Sequence, residues 1–360
     1  MPINCKSQTT SPFSMQKKVT NILYEVIPIR LFLIVTLVFY HAFAVFSGVW
    51  TPIAGYPDIP IYGMVDKLSY ACLLETFVFI SGYILGYQVS KKGVELILNA
   101  KSYFTKKLKR LILPSILFSI LYVLIFNDSN ASIQSIAYSV LSGAGHMWFL
   151  PMLFWCFVFV YLTERFSFSK KCMIALLPLM LLASFLPLPF RIDTAMYYFP
   201  FFYAGYYIKK YGLEIKHSDC KSAFALIACF ILAFVLKINV ESATQNGGGY
   251  FALSHIISLI ISKSIRFACS AFGVALLLTL STKLVKHSDP SKWNLLLKLS
   301  DSCFGVYIFQ QFILKIIEHT QFPENANPYL YPWVAFVISL VASLVLTIFI
   351  RKTKFGSQLL

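Results

Sequence analysis

Long apolar stretches recur along the whole chain, and short polar segments separate them. A helix needs roughly 20 mainly apolar residues to cross the hydrocarbon core of a bilayer. The first such stretch, at 31–50, follows Lys17 and Lys18. It is longer than the core of a signal peptide, and no small-residue cleavage site follows it. The pattern predicts an all-α, polytopic membrane protein.

We predict about ten transmembrane helices, with both termini in the cytoplasm. Their expected bounds are 28–48, 68–90, 111–126, 146–162, 173–188, 195–208, 222–238, 265–282, 303–318 and 330–350. Lys263 and Arg266 interrupt a further apolar segment at 251–264, which leaves open whether it spans the membrane, re-enters it or lies along the interface. We expect a single domain over 1–360, with tails at 1–22 and 351–360 flanking a bundle at 23–350.

The distribution of charge supports this topology. The chain is 58% hydrophobic and 13% charged, whereas soluble proteins average about 25% charged residues. Of the 31 Lys and Arg residues, 24 fall in six segments on one side of the predicted bundle: 1–22, 91–110, 165–171, 209–221, 283–298 and 351–354. Cytoplasmic loops of membrane proteins carry such an excess. The net charge of +16 therefore indicates membrane orientation rather than nucleic-acid binding.

The connecting segments are too short for a separate catalytic or nucleotide-binding domain, so any chemistry belongs to the helices and their ends. The eight cysteines form no C-x-x-C pair and most lie in apolar stretches, so we assign them no role. We expect no metal site.

Ionisable side chains inside a span cost roughly 2.5–3.5 kcal/mol each, so they usually have a partner and a function. The first span carries Arg30 near its cytoplasmic end and His41 about 16 Å further out. Glu75 in the second span is expected at a similar depth to His41. A neutral imidazole can take a proton from a hydroxyl while a carboxylate orients it. The alternatives are a packing role for His41 and a snorkelling one for Arg30, whereas a carboxylate such as Glu75 is harder to explain structurally.

A basic stretch at 101–114 leads into the third span. Lys107 and Arg110 are three residues apart and therefore share a helix face. The stretch is explained either by topology and contact with anionic lipid or by a phosphate site. Arg30 lies at the same face of the membrane and could join such a site.

Several motifs occur in order along the chain. They are Arg30 followed after ten residues by His41, Phe77-Val-Phe-Ile-Ser-Gly-Tyr83, Lys107-Leu-Lys-Arg110-Leu-Ile-Leu-Pro114, His146-Met-Trp148-Phe149-Leu, Phe199-Pro-Phe-Phe-Tyr-Ala-Gly205 and Phe304-Gly-Val-Tyr307. In these residues the sequence resembles the acyltransferase type 3 family of membrane-bound acyltransferases. The resemblance extends from the first predicted span to the last.

Two positions depart from the pattern of that family. Gln310 stands where members often carry a histidine, so an amide takes over any role at that place. Lys107 stands where members carry an arginine, and a lysine lacks the bidentate fork of a guanidinium.

The resemblance implies transfer of an acyl group, usually acetyl from acetyl-CoA, to a hydroxyl of a cell-surface or lipid-linked glycan in the cell membrane. Its expected site residues are Arg30, Lys107 and Arg110 for the acyl-CoA phosphates and His41 with Glu75 for catalysis. His146, Trp148 and Gln310 are expected to bind the acceptor. The other partner would be membrane lipid, with no nucleic acid.

Two other functions are compatible with the sequence. A transporter or flippase of a lipid-linked glycan could also have ten spans and buried charges. However, we find neither an inverted repeat nor a pair of broken helices at corresponding positions. A catalytically inactive relative with a structural role would explain Gln310, although Arg30 and His41 are retained.

Overall fold

The computed structural model describes residues 23–126, 132–213, 220–246, 252–289 and 293–359, and this part of the chain contains no strand. The α-helices are α1 Val26–Phe43, α2 Pro60–Ser69, α3 Leu73–Lys92, α4 Glu95–Leu98, α5 Ala100–Lys107, α6 Leu113–Phe126, α7 Ile133–Ser142, α8 Phe149–Arg165, α9 Lys170–Ala183, α10 Ile192–Lys210, α11 Cys220–Asn246, α12 Ala252–Lys286, α13 Asn294–Glu318, α14 Phe322–Asn325, α15 Tyr331–Arg351 and α16 Lys354–Leu359. Short 3₁₀ helices cover Gly145–Trp148 and Pro189–Arg191, and a π-helix covers Leu108–Ile112. The predicted N-terminal tail, 1–22, lies outside the described residues.

Seven helical stretches in the described part of the chain are long and apolar enough to cross a membrane. They are Val26–Phe43, Pro60–Lys92, Ala100–Phe126, Gly145–Arg165, Lys221–Ala243, Ile257–Lys286 and Tyr331–Arg351. All seven overlap predicted spans, which confirms an all-helical, multi-pass membrane protein. The three other predicted spans fall on α9, which has 14 residues, and on the longer but more polar α10 and α13.

Large apolar side chains cover much of the outside of the bundle. Leu124, Phe224 and Phe349 are each about seven-tenths exposed or more. Exposed apolar area on this scale is unfavourable in water but is expected where helices face lipid tails. The polar groups of the bundle, by contrast, include many that are buried between helices.

The most extensive helix contact joins α3 to α10. Gly82 and Gly86, four residues apart on α3, lie directly against the backbone of Phe202 and Tyr206 on α10. Gly205 of α10 lies in the same way against α3. A side chain at any of these glycines would meet main-chain atoms. Small residues at this spacing allow membrane helices to approach closely, since association in lipid depends on packing.

The first helix, α1, contacts five other helices. It packs against α2, α3, α12, α13 and α15, which brings its polar residues close to side chains from several helices. The apolar segment at 251–264 is also resolved from 252 onwards: it forms the beginning of α12, a continuous helix of 35 residues. No break separates it from the predicted span that follows.

Candidate active site

A basic cleft lies between α1, α3, α8, α13 and the basic segment before α6, with a volume of about 310 Å³. Arg30, Lys107 and Arg110, the three predicted phosphate ligands, all line it. The last residue of α15, Arg351, lines it too. Asp301 is the one acidic side chain among the described residues around the cleft. The arrangement therefore concentrates positive charge from three separate parts of the sequence.

A π-helical turn, Leu108–Ile112, carries Arg110 and separates α5 from α6. Its cause lies in the sequence: Pro114 has no backbone N–H, so it cannot donate the usual helical hydrogen bond to the carbonyl of Arg110. Turns of this kind are often found at functional sites. Lys107, just before the turn, places its ammonium 3.5 Å from the ring centroid of Phe157, which also lines the cleft.

A second cavity, the aromatic chamber, lies further along α1 and has a volume of about 330 Å³. His41, His146 and Trp148, three residues that the sequence analysis expected in a site, line it together. Its remaining aromatic walls come from Tyr40, Trp50, Tyr70, Phe149 and Tyr307. The chamber is therefore a mainly aromatic enclosure, and its polar groups include two imidazoles, the amide of Gln311 and the hydroxyls of its tyrosines.

Two hydrogen bonds connect His146 to α13. Its Nε2 lies 2.9 Å from the carbonyl oxygen of Ile308, and the Tyr307 hydroxyl donates to the His146 carbonyl at 2.6 Å. Because a carbonyl oxygen only accepts, Nε2 carries the hydrogen of this ring. The other nitrogen, Nδ1, is buried and has no hydrogen-bond partner among the described residues. In this tautomer Nδ1 carries the lone pair of the ring, and the side chain of Gln311 is beside it.

His41 is held on two sides. Its Nδ1 lies 3.1 Å from Oε1 of Gln310, and its ring stacks on Trp50 with centroids 5.8 Å apart. The ammonium of Lys315 lies 4.2 Å from the centroid of Trp50. The imidazole rings of His41 and His146 have centroids 6.4 Å apart, so one small substrate could contact both.

The two cavities share a wall. Leu37, Leu74, Phe149 and Tyr307 line both the basic cleft and the aromatic chamber. Arg30 faces one cavity and His41 the other, on the same helix. The wall between the cationic groups and the imidazoles is therefore formed mainly by apolar and aromatic side chains.

Gln310 and Glu75 lie outside both linings. Gln310 is fully buried and contacts His41. Glu75 is 1% exposed and pairs at 3.5 Å with Arg266 of α12, which also donates to the Tyr198 hydroxyl. Tyr70 of the aromatic chamber interacts electrostatically with both members of this pair. The structure thus brings Glu75 to Arg266 and His41 to Gln310, and direct assistance of His41 by Glu75 stays a prediction.

Sequence reasoning missed several residues in the two cavities and one beside them. Arg351 and Asp301 carry no motif, and Arg351 was explained by membrane orientation alone. Trp50 lies in the segment after α1, where an aromatic residue is usual at a membrane interface. Arg266 was noted only as an interruption of an apolar segment. A cation in such a segment was the available signal, since it needs a partner.

Comparison with known proteins agrees with this geometry. A family model described as an acyltransferase domain, of the type 3 acyltransferases, matches residues 24–352. No curated protein and no solved structure shows a significant match. The matched region begins just before α1 and ends just after α15, so it includes every residue of both cavities. The chain belongs to the acyltransferase type 3 family.

Proposed function

We propose that the protein is a membrane O-acyltransferase that moves an acyl group, acetyl in the simplest case, from acyl-CoA to a hydroxyl of a cell-surface or lipid-linked glycan. The observation that carries this proposal is the shared wall of the basic cleft and the aromatic chamber. A donor with an anionic end and a reactive thioester end needs a cationic site joined to a site that holds a base. The two cavities supply that combination.

The basic cleft suits the phosphate groups of acyl-CoA. Arg30, Arg110 and Arg351 offer guanidinium groups, which bind phosphate oxygens through paired hydrogen bonds, and Lys107 adds a point charge. Asp301 offsets only part of this charge. With the phosphates held here, the flexible arm of the donor would extend between the apolar side chains of the shared wall and bring the thioester towards His41.

The aromatic chamber suits a neutral, hydroxylated acceptor. Its buried polar atoms without partners, Nδ1 of His146 and Oε1 of Gln311, accept hydrogen bonds and do not donate them. Flat aromatic walls with a few oriented polar groups are typical of small-molecule sites. A sugar ring presents hydroxyl donors at its edge and apolar C–H groups on its faces, so it complements both features.

His41 is the proposed general base. The acceptor hydroxyl gives its proton to the imidazole as its oxygen attacks the thioester carbonyl. The carbon–sulfur bond then breaks, and the thiolate takes the proton from the imidazolium. The products are an O-acyl ester and free CoA, and the imidazole returns to its neutral form.

For the membrane arrangement, we propose ten crossings of the cell membrane, with α9, α10 and α13 as the three additional spans and both termini in the cytoplasm. The excess of Lys and Arg on one side supports this orientation. It gives the basic cleft access to cytoplasmic acyl-CoA and places the aromatic chamber towards the outer face. Labelling of single introduced cysteines tests it. Labelling of residues after Arg351 by an external, membrane-impermeant reagent would contradict it.

Mass spectrometry of surface glycans tests the activity itself. We expect one acyl mass on a glycan from cells that carry the protein, and its loss from cells that lack the protein or carry His41→Ala. An unchanged glycan profile together with acyl-CoA binding by the purified protein would argue against a glycan acceptor. Absence of acyl-CoA binding would argue against acyl-CoA as the donor of the acyl group.

A further inference from the structure

Gln310 makes the hydrogen bond that fixes the orientation of His41. Its amide oxygen faces Nδ1 of the imidazole across 3.1 Å, between α13 and α1. Gln310 is fully buried and does not line the aromatic chamber. The Ser339 hydroxyl of α15 donates to the Gln310 backbone carbonyl at 2.8 Å, which ties this turn of α13 to a third helix. The amide is therefore placed to act on His41 rather than on a substrate.

The hydrogen bond selects one tautomer of the ring. With the amide oxygen of Gln310 turned towards the ring, Nδ1 of His41 carries the hydrogen that the two groups share, because an amide oxygen has lone pairs and no hydrogen. The lone pair of the neutral ring is then on Nε2, the nitrogen left to meet a hydroxyl. A base needs its lone pair directed at the proton that it removes.

His146 has the opposite tautomer, which another residue of α13 sets. The carbonyl of Ile308, two residues before Gln310, accepts from Nε2 of His146, and the lone pair of that ring is on Nδ1. Helix α13 thus sets the hydrogen positions of both imidazoles in the chamber. Each ring keeps one free lone pair, with the ring centroids 6.4 Å apart.

We propose that Gln310 is a positioning residue that holds His41 in the Nδ1–H tautomer, so that Nε2 acts as the base. The inference deepens the proposed acyl transfer, and its expected effect on activity rests on that proposal. The tautomer of His41 does not depend on it. It also accounts for an amide at a place where a histidine is common. The position requires a hydrogen-bond acceptor for Nδ1–H, and both a glutamine and a neutral imidazole provide one.

The tautomer can be measured without knowledge of the acceptor. Protonated and unprotonated ring nitrogens differ widely in ¹⁵N chemical shift, so solid-state NMR of ¹⁵N-histidine-labelled protein in lipid bilayers reports the tautomer directly. The signals of His41 are identified by their loss in His41→Ala. We expect a protonated Nδ1 in the wild type and a shift towards protonated Nε2 in Gln310→Met, with the His146 signals unchanged. An Nδ1–H form that persists in Gln310→Met would overturn the proposal.

Activity provides the second measurement. We expect Gln310→Met to lower the rate of acyl transfer about 10- to 100-fold, less than complete loss of a general base, without a change in acyl-CoA affinity. Gln310→Glu and Gln310→His keep an acceptor and should restore most of the rate. If Gln310→Glu is as slow as Gln310→Met, the amide donates rather than accepts and the proposal is wrong.

Two controls distinguish a failure of the positioning role of Gln310 from a failure of the proposed base. Thr347→Val alters a buried side chain at the same α13–α15 interface without touching either cavity, so it should leave the rate and the tautomer unchanged. A similar loss of rate in Thr347→Val would assign the effect of Gln310→Met to packing and overturn the positioning role. If His41→Ala is active while the wild type shows the Nδ1–H tautomer, the proposed base is wrong and the structural role of Gln310 stands.

Discussion

Arg30 and His41 lie eleven residues apart on one helix and line two different cavities that share an apolar wall. A rise of about 1.5 Å per residue separates them by about 16 Å along α1. The helix thus acts as a fixed spacer between the cationic groups and the imidazoles. The ten-residue interval of the motif has a direct geometric meaning in this fold.

We expect His41→Ala to abolish acyl transfer while acyl-CoA binding and the amount of folded protein are retained. Loss of a general base costs about 10²- to 10⁴-fold in rate, and His41 does not line the basic cleft. The measurement is the rate of CoA release by protein in lipid nanodiscs, alongside direct binding of acetyl-CoA. His319→Ala is the matched control, since His319 is exposed and lines neither cavity. Near-native turnover in His41→Ala would make His146 the next candidate base.

We expect Arg110→Ala and Arg351→Ala each to weaken acyl-CoA binding. A hydrogen bond to a charged group contributes about 1.5–3 kcal/mol, which corresponds to roughly a 10- to 100-fold rise in Kd. Isothermal titration with acetyl-CoA at two salt concentrations measures the loss. Lys352→Ala, next to Arg351 but outside the cleft, should bind normally. Unchanged affinity in Arg351→Ala would assign that residue to membrane orientation alone.

His146→Ala should act mainly on acceptor affinity. The change removes an imidazole that lines the aromatic chamber, while His41 keeps its hydrogen bond to Gln310 and the basic cleft keeps its lining. We expect a raised KM for the acceptor, with little effect on KM for acyl-CoA. The transfer rate is measured in membranes at graded acceptor concentrations. A fall in kcat at saturating acceptor, with KM unchanged, would instead indicate a role for His146 in the chemical step.

Glu75→Gln should reduce stability as well as activity. Glu75 is fully buried, and its loss of charge would leave the partly exposed Arg266 without its ion-pair partner, at a cost of about 1–3 kcal/mol. Thermal unfolding in detergent measures this effect. The double variant Glu75→Gln, Arg266→Gln should recover part of the loss, because no unpaired charge remains. If the losses of stability in the two single variants add up to the loss in the double variant, Glu75 and Arg266 are not coupled.

The same Glu75→Gln variant tests the predicted assistance to His41. We expect a smaller loss of rate than in His41→Ala, since the contacts of the carboxylate are with Arg266. Comparison of rates per folded molecule separates catalysis from stability. An equally complete loss of rate in well-folded protein would place Glu75 in the chemical step.

Membrane spans are the part of the fold that the sequence determines most directly. Each of the seven long apolar helices overlaps a predicted span, because a stretch of apolar residues in lipid must satisfy its backbone hydrogen bonds internally as a helix. Helix α9 has only 14 residues, and buried polar groups such as Gln310 and Gln311 lower the average hydropathy of α13. Residues 251–264 were ambiguous because Lys263 and Arg266 interrupt the apolar run, and the structure incorporates the described part of them into α12.

The motifs predicted which residues belong together, whereas the tertiary structure decided their partners. Arg30, Lys107 and Arg110 meet in one cleft, and His41, His146 and Trp148 in one chamber, as their order along the spans suggested. The pairing of Glu75 with Arg266, the contact of Gln310 with His41 and the place of Arg351 could not be predicted in this way. Hydropathy and spacing fix the depth of a residue along its helix. The rotation of that helix and the angle at which it crosses its neighbours depend on close contacts such as those at Gly82 and Gly205, and these arise only when the helices pack.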